Sequence, residues 1–201
     1  EEGVEEGEAG TLNNLGLSYV MQERWLEAKA CYEQSIQISR RIEDASAAVS
    51  TSCNVAMLWR DAGDNEKAIS ALLEAMDVCV EMDASELGQI TEHARDMAYW
   101  MAQEGEWEPI GKLALALQER LDPLADDPTA PVEVSAFAEI GRLTTAVLYS
   151  VSQAQGDLSH PQLQEIMEAV TGFDQLTGGA FGFGEWIESV CQRPRGGLTL
   201  I

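Results

Sequence analysis

Thr11-Leu12-Asn13-Asn14-Leu15-Gly16-Leu17-Ser18-Tyr19 and, forty residues further on, Thr51-Ser52-Cys53-Asn54-Val55-Ala56-Met57-Leu58-Trp59 are one pattern written twice. The same offset carries on without a gap: Ala28 meets Ala68, Tyr32 meets Leu72, Ser35 meets Ala75 and Ile36 meets Met76. Small side chains stand where small ones stood, and large apolar ones where large apolar ones stood. That agreement in size says more than the identities Thr11/Thr51, Asn14/Asn54 and Ala28/Ala68. A fixed internal period of this length marks a stacked-repeat architecture.

Each unit reads as two helices. Leu12, Leu15, Tyr19 and Val20 follow helical spacing, as do Leu26, Cys31, Tyr32, Ile36 and Ile38. Gln22-Glu23-Arg24 and Ala62-Gly63-Asp64 mark the turns; Gly63 suits a left-handed helix end and Asp64 the next N-cap. Gly16, Ala28, Ala56 and Ala68 let the two helices of a hairpin cross closely, while Tyr19, Trp25, Tyr32 and Trp59 fill the space around them. A third, degenerate unit follows at an offset of forty-two, with Ala98 at the place of Ala56 and Gly105 at that of Gly63. Its Pro109 falls in the first turn of a helix, where the missing N–H costs nothing.

These residues also carry a family resemblance. Leu12, Leu15-Gly16, Tyr19, Ala28 and Tyr32 are similar, position by position, to the signature of the tetratricopeptide repeat, and Val55-Ala56, Trp59, Gly63, Ala68 and Leu72 repeat it. The period of about 40 residues resembles the long-helix variety of kinesin light chains and bacterial signalling proteins. The resemblance implies an all-α fold: antiparallel helix-hairpin repeats stacked as a short right-handed α-solenoid. The expected organisation is an acidic tail over 1–8, repeats over 9–43, 44–83 and 84–121, and a divergent helical cap over 122–201. In that last region Asp122 to Pro131 reads as a loop, Val134 to Gln155 as a long helix and Pro161 to Phe173 as another. Phe181 to Cys191 reads as a short helix, and the apolar end Leu198 to Ile201 as a segment that packs back or marks a truncation.

The resemblance further implies a binding groove lined by the first helix of each hairpin. Asn13, Asn14, Leu17, Val20 and Met21 would face it from the first unit, and Cys53, Asn54, Met57, Arg60 and Asp61 from the second. Asn14 and Asn54 are the sharpest candidates. A side-chain amide donates and accepts, so it either grips a peptide backbone or bonds the neighbouring helix. The lysines and arginines with which chaperone-type members clamp a terminal carboxylate are replaced here by Asn13, Leu17, Cys53 and Met57. Leu17, Met21 and Met57 make the groove partly apolar and adaptable.

The charge narrows the partners. With 12 Lys+Arg against 35 Asp+Glu, the net charge is -23. Such a field opposes nucleic acid, whose binding needs cations against phosphates, and favours basic partners. No run of about 18 apolar residues suggests a membrane span, and the acidic start Glu1 to Gly10 is the opposite of a signal or transit peptide. A cytoplasmic location is the expectation. The missing initial Met keeps open a second reading, a sensor or autoinhibitory region of a larger bacterial signalling protein of ATPase or caspase-like protease type.

Catalytic chemistry finds little support. Cys31, Cys53, Cys79 and Cys191 have no metal-ligand spacing, and the first three sit in apolar helical patterns. His93 lies between Glu92 and Asp96 without an HExxH pattern or a second histidine, so it reads as a helix-surface residue. His160 before Pro161 reads as a helix entry, and Ser46, Ser50 and Ser52 as residues at a helix start. Gly178 to Gly184 lacks the Lys-Ser/Thr of a phosphate loop and reads as a tight turn. No catalytic residue, metal site or cofactor is expected; a protein or peptide partner is.

Overall fold

The computed structural model describes residues 2–82 and 86–192. Its described elements are all helical: α1 (Glu2–Val20), α2 (Trp25–Arg41), α3 (Ala45–Asp61), α4 (Asn65–Glu81), α5 (Leu87–Gln103), α6 (Trp107–Ala125), α7 (Val132–Ala154), α8 (Pro161–Leu176) and α9 (Phe183–Cys191). They belong to two compact units, 1–94 with 124–138, and 95–123 with 139–201. The apolar end Leu198 to Ile201 lies outside the described residues.

In the first unit α1 packs on α2, α2 on α3 and α3 on α4, giving two successive hairpins of an all-α, tetratricopeptide-like solenoid. The close crossing read from the sequence is literal at Gly16. A Cβ placed there would stand 2.5 Å from Cε1 of Tyr32, well inside any real carbon contact. In the second hairpin the counterparts of Gly16 and Tyr32 are Ala56 and Leu72, both fully buried. A larger side chain on one helix accompanies a smaller one on the other, so each crossing stays filled.

The turns repeat as well. Glu23, Gly63 and Gly105 end α1, α3 and α5 with φ of 57, 77 and 78°. The next N–H in each case reaches back five residues: Arg24 to Tyr19 O, Asp64 to Trp59 O and Glu106 to Met101 O, at 2.8–2.9 Å. This six-to-one closure requires a left-handed residue, which Gly adopts freely and Glu does not. Glu23→Gly is therefore expected to stabilise the protein by about 1 kcal/mol. Urea unfolding with an unchanged slope checks it, and a lower midpoint would show that the Glu23 side chain matters more than its backbone.

A further correspondence links the aromatic residue at the end of each first helix to a cation. The Arg24 guanidinium lies 4.4 Å from the Tyr19 ring centre and the Lys67 ammonium 4.5 Å from that of Trp59. Arg24 is held by Glu27 at 2.8 Å, and Lys67 by Asp64 at 2.6 Å. The pairs occupy the same two positions with their charges exchanged, so the cation reaches the ring from either end. The Lys67 hydrogen bond holds the Asp64 carboxyl below its ordinary range, and Asp64 also caps α4 by accepting from Lys67 N at 3.0 Å.

Burial distinguishes the two hairpins where the sequence does not. Val55 is 8% exposed beneath the preceding hairpin, whereas its counterpart Leu15 is 41% exposed. Leu26, read as part of the apolar pattern of the first unit, is also exposed, so it is not core. Ser39 at the end of α2 is fully buried and its hydroxyl has no hydrogen-bond partner, while the second hairpin has buried Cys79 at that place. An unpaired buried hydroxyl costs about 1 kcal/mol or more. Ser39→Ala should raise the urea midpoint, and a fall would mean that the hydroxyl has a partner in solution.

Two expectations need correction. Residues 2–8, read as an acidic tail, form the start of α1. Carboxylates are favourable in the first turns of a helix, and Glu5 pairs with Arg41 of α2 at 3.1 Å. The loop expected from Asp122 begins later, because α6 runs through Pro123 to Ala125. Leu121 is buried and Asp122 meets Arg142 Nε at 3.1 Å, so packing and an ion pair carry the last turn past the proline.

In the second unit α6 and α7 approach at two glycines. A Cβ on Gly111 would lie 2.7 Å from Ser152 Oγ, and one on Gly141 2.8 Å from Leu121 Cδ1. Ser152 Oγ donates to Trp107 O at 2.8 Å. The glycine stretch is a tight turn: Gly178, Gly179 and Gly182 all have positive φ, and Asp174 accepts from Gly184 N at 3.0 Å at the start of α9. The rings of Phe173, Phe181 and Phe183 cluster there, centres 5.4–6.2 Å apart. Arg95 inserts beside them, its guanidinium 5.0 Å from the Phe183 ring and 5.4 Å from the Trp186 ring, and it donates to Phe181 O at 2.8 Å.

Candidate partner-binding groove

The candidate groove residues stand on α1 and α3, which touch each other in the first unit. Along α1 the spacing of four places Asn13, Leu17 and Met21 on one stripe. Asn54, Met57 and Asp61 follow at three and four along α3. Each stripe begins with an amide and continues with an apolar residue, after which they differ, Met21 on α1 and Asp61 on α3.

At the amide end Asn54 Nδ2 donates to Asn13 Oδ1 at 2.9 Å. Both residues are half-buried. Asn14, the repeat counterpart of Asn54, does not take part in this bond. Asn14 is exposed, and its carbonyl accepts from Ser18 Oγ at 2.9 Å within its own helix. The repeat register aligns Asn14 with Asn54, but the two helices meet one residue off that register, which brings Asn13 across instead. Of the two readings left open for the amides, Asn54 follows the bond to the neighbouring helix. That bond uses one N–H of Asn54 and the oxygen of Asn13. The Asn13 amide N–H groups and the Asn54 carbonyl remain as a donor and an acceptor side by side.

The middle of the groove is apolar and open. Leu17 is 54% exposed and Met21 81%, while Met57 is half-buried. Cys53, expected to face the groove, is instead fully buried, and burial pushes its thiol up to about 12. Burial likewise raises Cys79 and Cys191 to about 11, so these thiols are poor nucleophiles near neutral pH. At the far end Arg60 donates to Asp61 through Nε at 2.9 Å and Nη2 at 2.5 Å, which ties that cation to its neighbour.

The other residues considered for chemistry are dispersed. His93 Nδ1 bonds Gln89 O at 2.8 Å within its own helix. His160 is the N-cap of α8 ahead of Pro161, without a side-chain cap bond. Among the described residues no group of three or more His, Cys, Asp or Glu side chains is arranged to hold a metal ion, and no helix is long and apolar enough to cross a membrane.

Residues 7–79, which take in both hairpins of the first unit, match the model of the tetratricopeptide repeat family. Residues 7–79 are a tetratricopeptide-repeat region. No curated protein matches the chain. Tetratricopeptide repeats are protein-binding scaffolds and typically not catalytic. The matched segment ends within α4, so the degenerate third unit and the helices after it lie outside the family match.

Two features of the tetratricopeptide region go beyond the sequence reading. The cation–aromatic pairs were legible in principle, since the exchanged charges at 24/27 and 64/67 are a covarying signal. A cleft between α2 and α4 was not, because its walls come from three helices whose facing depends on how the hairpins stack.

Proposed function

We propose that this protein is a protein–protein interaction module whose α1/α3 groove binds an extended segment of a partner. The observation that carries the reading is the Asn13–Asn54 pair beside the exposed Leu17 and Met21. The backbone of an extended peptide alternates carbonyl and N–H groups, which the remaining Asn13 donor and Asn54 acceptor complement whatever its sequence. Specificity then falls to an apolar partner side chain seated over Leu17, Met21 and Met57. Covering a side chain of this size fully contributes about 1.5–3 kcal/mol. Basic segments are favoured by the net charge of -23. The absence of lysine and arginine at the clamp positions argues against partners recognised mainly by a terminal carboxylate.

A displayed library of random linear peptides selects binders, and fluorescence polarisation of a labelled binder measures affinity. Asn13→Ala with Asn54→Ala should weaken binding about tenfold, as loss of two hydrogen bonds predicts. Met57→Glu should weaken it by about as much again, by placing a charge under an apolar side chain. Unchanged affinity in the triple variant would defeat the groove reading.

A further inference from the structure

A depression in the second unit has a chemistry of its own. About 530 Å³ lies between α6 and α7, with Trp107, Gly111 and Leu115 on one wall and Tyr149, Ser152 and Gln153 on the other. The helices come close at Gly111, where a Cβ would stand 2.7 Å from Ser152 Oγ. Trp107 and Leu115 are one turn before and one turn after it on the same face of α6. The apolar groups stand open: Leu115 is 51% exposed, and Trp107 and Tyr149 are half-buried. The polar groups are open too. Among the described residues nothing bonds the Trp107 indole N–H, the Tyr149 hydroxyl, or the side-chain amides of Gln153 and Gln155, which also line the depression. Neither the indole N–H nor the hydroxyl is shut off from water, and both glutamines are exposed. Lys112 is held by Glu108 at 2.9 Å, so that pair adds no net charge.

We infer that this depression binds a proline-rich segment of a partner protein, in polyproline II form, with a lysine or arginine at one end. The ligand is identified by what the site leaves unpaired. A polyproline II segment makes no internal hydrogen bonds and its prolines carry no N–H, so it offers carbonyls and needs donors. The indole N–H, the phenol and the two amides supply them. A helical ligand has its carbonyls already paired and would leave those donors idle. Spacing agrees. Eight residues of α6 separate Trp107 from Leu115, about 12 Å, while prolines three apart share a face of polyproline II and stand about 9 Å apart. One pyrrolidine ring then lies against Trp107 and the next against Leu115 and Tyr149. Such a segment is extended before it binds, so little ordering opposes the contact. Charge complementarity sets the flanking residue. Glu104 and Glu106 precede Trp107, both exposed and without an ion pair among the described residues. Glu104 also lines a neighbouring depression of about 340 Å³ that shares Trp107. Every residue of this site lies beyond the family match and within the second unit, so the site does not depend on the α1/α3 groove.

The test titrates the whole chain with a fluorescein-labelled peptide of six prolines followed by two arginines, and with the same peptide carrying six alanines or two glutamates instead. Polarisation should show saturable binding of the first peptide, binding of the alanine peptide about tenfold weaker or less, and weaker binding of the glutamate one. In ¹⁵N spectra the Trp107 indole N–H, identified by its loss in Trp107→Phe, should move together with the amides of Gly111 and Gln153. Trp107→Phe keeps a ring in place and should weaken binding about three- to tenfold, the loss of one hydrogen bond. Leu115→Glu, at an exposed position, should weaken it about tenfold. Glu104→Gln with Glu106→Gln should abolish the preference for arginine over glutamate. Its persistence would overturn the assignment of the basic end to this site, since the general field of the chain would then draw the cation. Equal affinity for the proline and alanine peptides would overturn the proposal, as would binding unaffected by Leu115→Glu. Shifts centred on Asn13, Leu17 and Met57, or no saturable binding at millimolar peptide, would overturn it too.

Discussion

Gly16→Ala is expected to lower the unfolding free energy by about 2 kcal/mol, and adding Tyr32→Leu should recover part of that loss. The new methyl group would stand 2.5–3.0 Å from three atoms of the Tyr32 ring. Tyr32 is 2% exposed and cannot swing into solvent, so the helices must separate or the ring must leave its rotamer. Tyr32→Leu alone leaves a gap and costs about 2 kcal/mol. Together the two changes install the Ala56–Leu72 pairing of the second hairpin in the first, and the methyl fills part of the gap. A double-mutant cycle by urea unfolding should give a favourable coupling of about 1–2 kcal/mol. Strict additivity would mean that the two residues do not share one packing site.

Arg95→Ala should cost the second unit about 3 kcal/mol. The guanidinium loses a charge-assisted hydrogen bond to Phe181 O and its stacking on Phe183 and Trp186. Arg95→Lys should restore less than half. An ammonium is a point charge and cannot both lie flat between two rings and donate in the plane of the guanidinium fork. Arg95→Met isolates the packing of the stem. If methionine restores full stability in urea or thermal unfolding, the charge contributes nothing there and the account of this cluster fails.

The hairpins were legible because their crossing is local in chemistry: Gly16 with Tyr32 and Ala56 with Leu72 sit at fixed distances along the sequence. The turns were legible at Gly63 but not at Glu23, since glutamate gives no sign of a left-handed backbone. Helical tails such as 2–8 hide for another reason. Their glycines and glutamates show no apolar stripe, while the pairing of Glu5 with Arg41 is a tertiary contact. In the candidate groove, the sequence did not show that Asn54 bonds Asn13 or that Cys53 is buried. Both depend on how far one helix is turned against the next, and a shift of one residue turns a helix by about 100°.

By itself, then, the sequence determined that this protein is built of helix hairpins, because a repeated order of small and large side chains permits close crossing at the same places each time. It also determined a strongly acidic composition. Only the tertiary structure decided that Asn13 meets Asn54 and that Val55 is covered where Leu15 is open. It also formed a cleft between α2 and α4. Periodicity records which side of a helix is apolar, but stacking alone decides which neighbour that side meets.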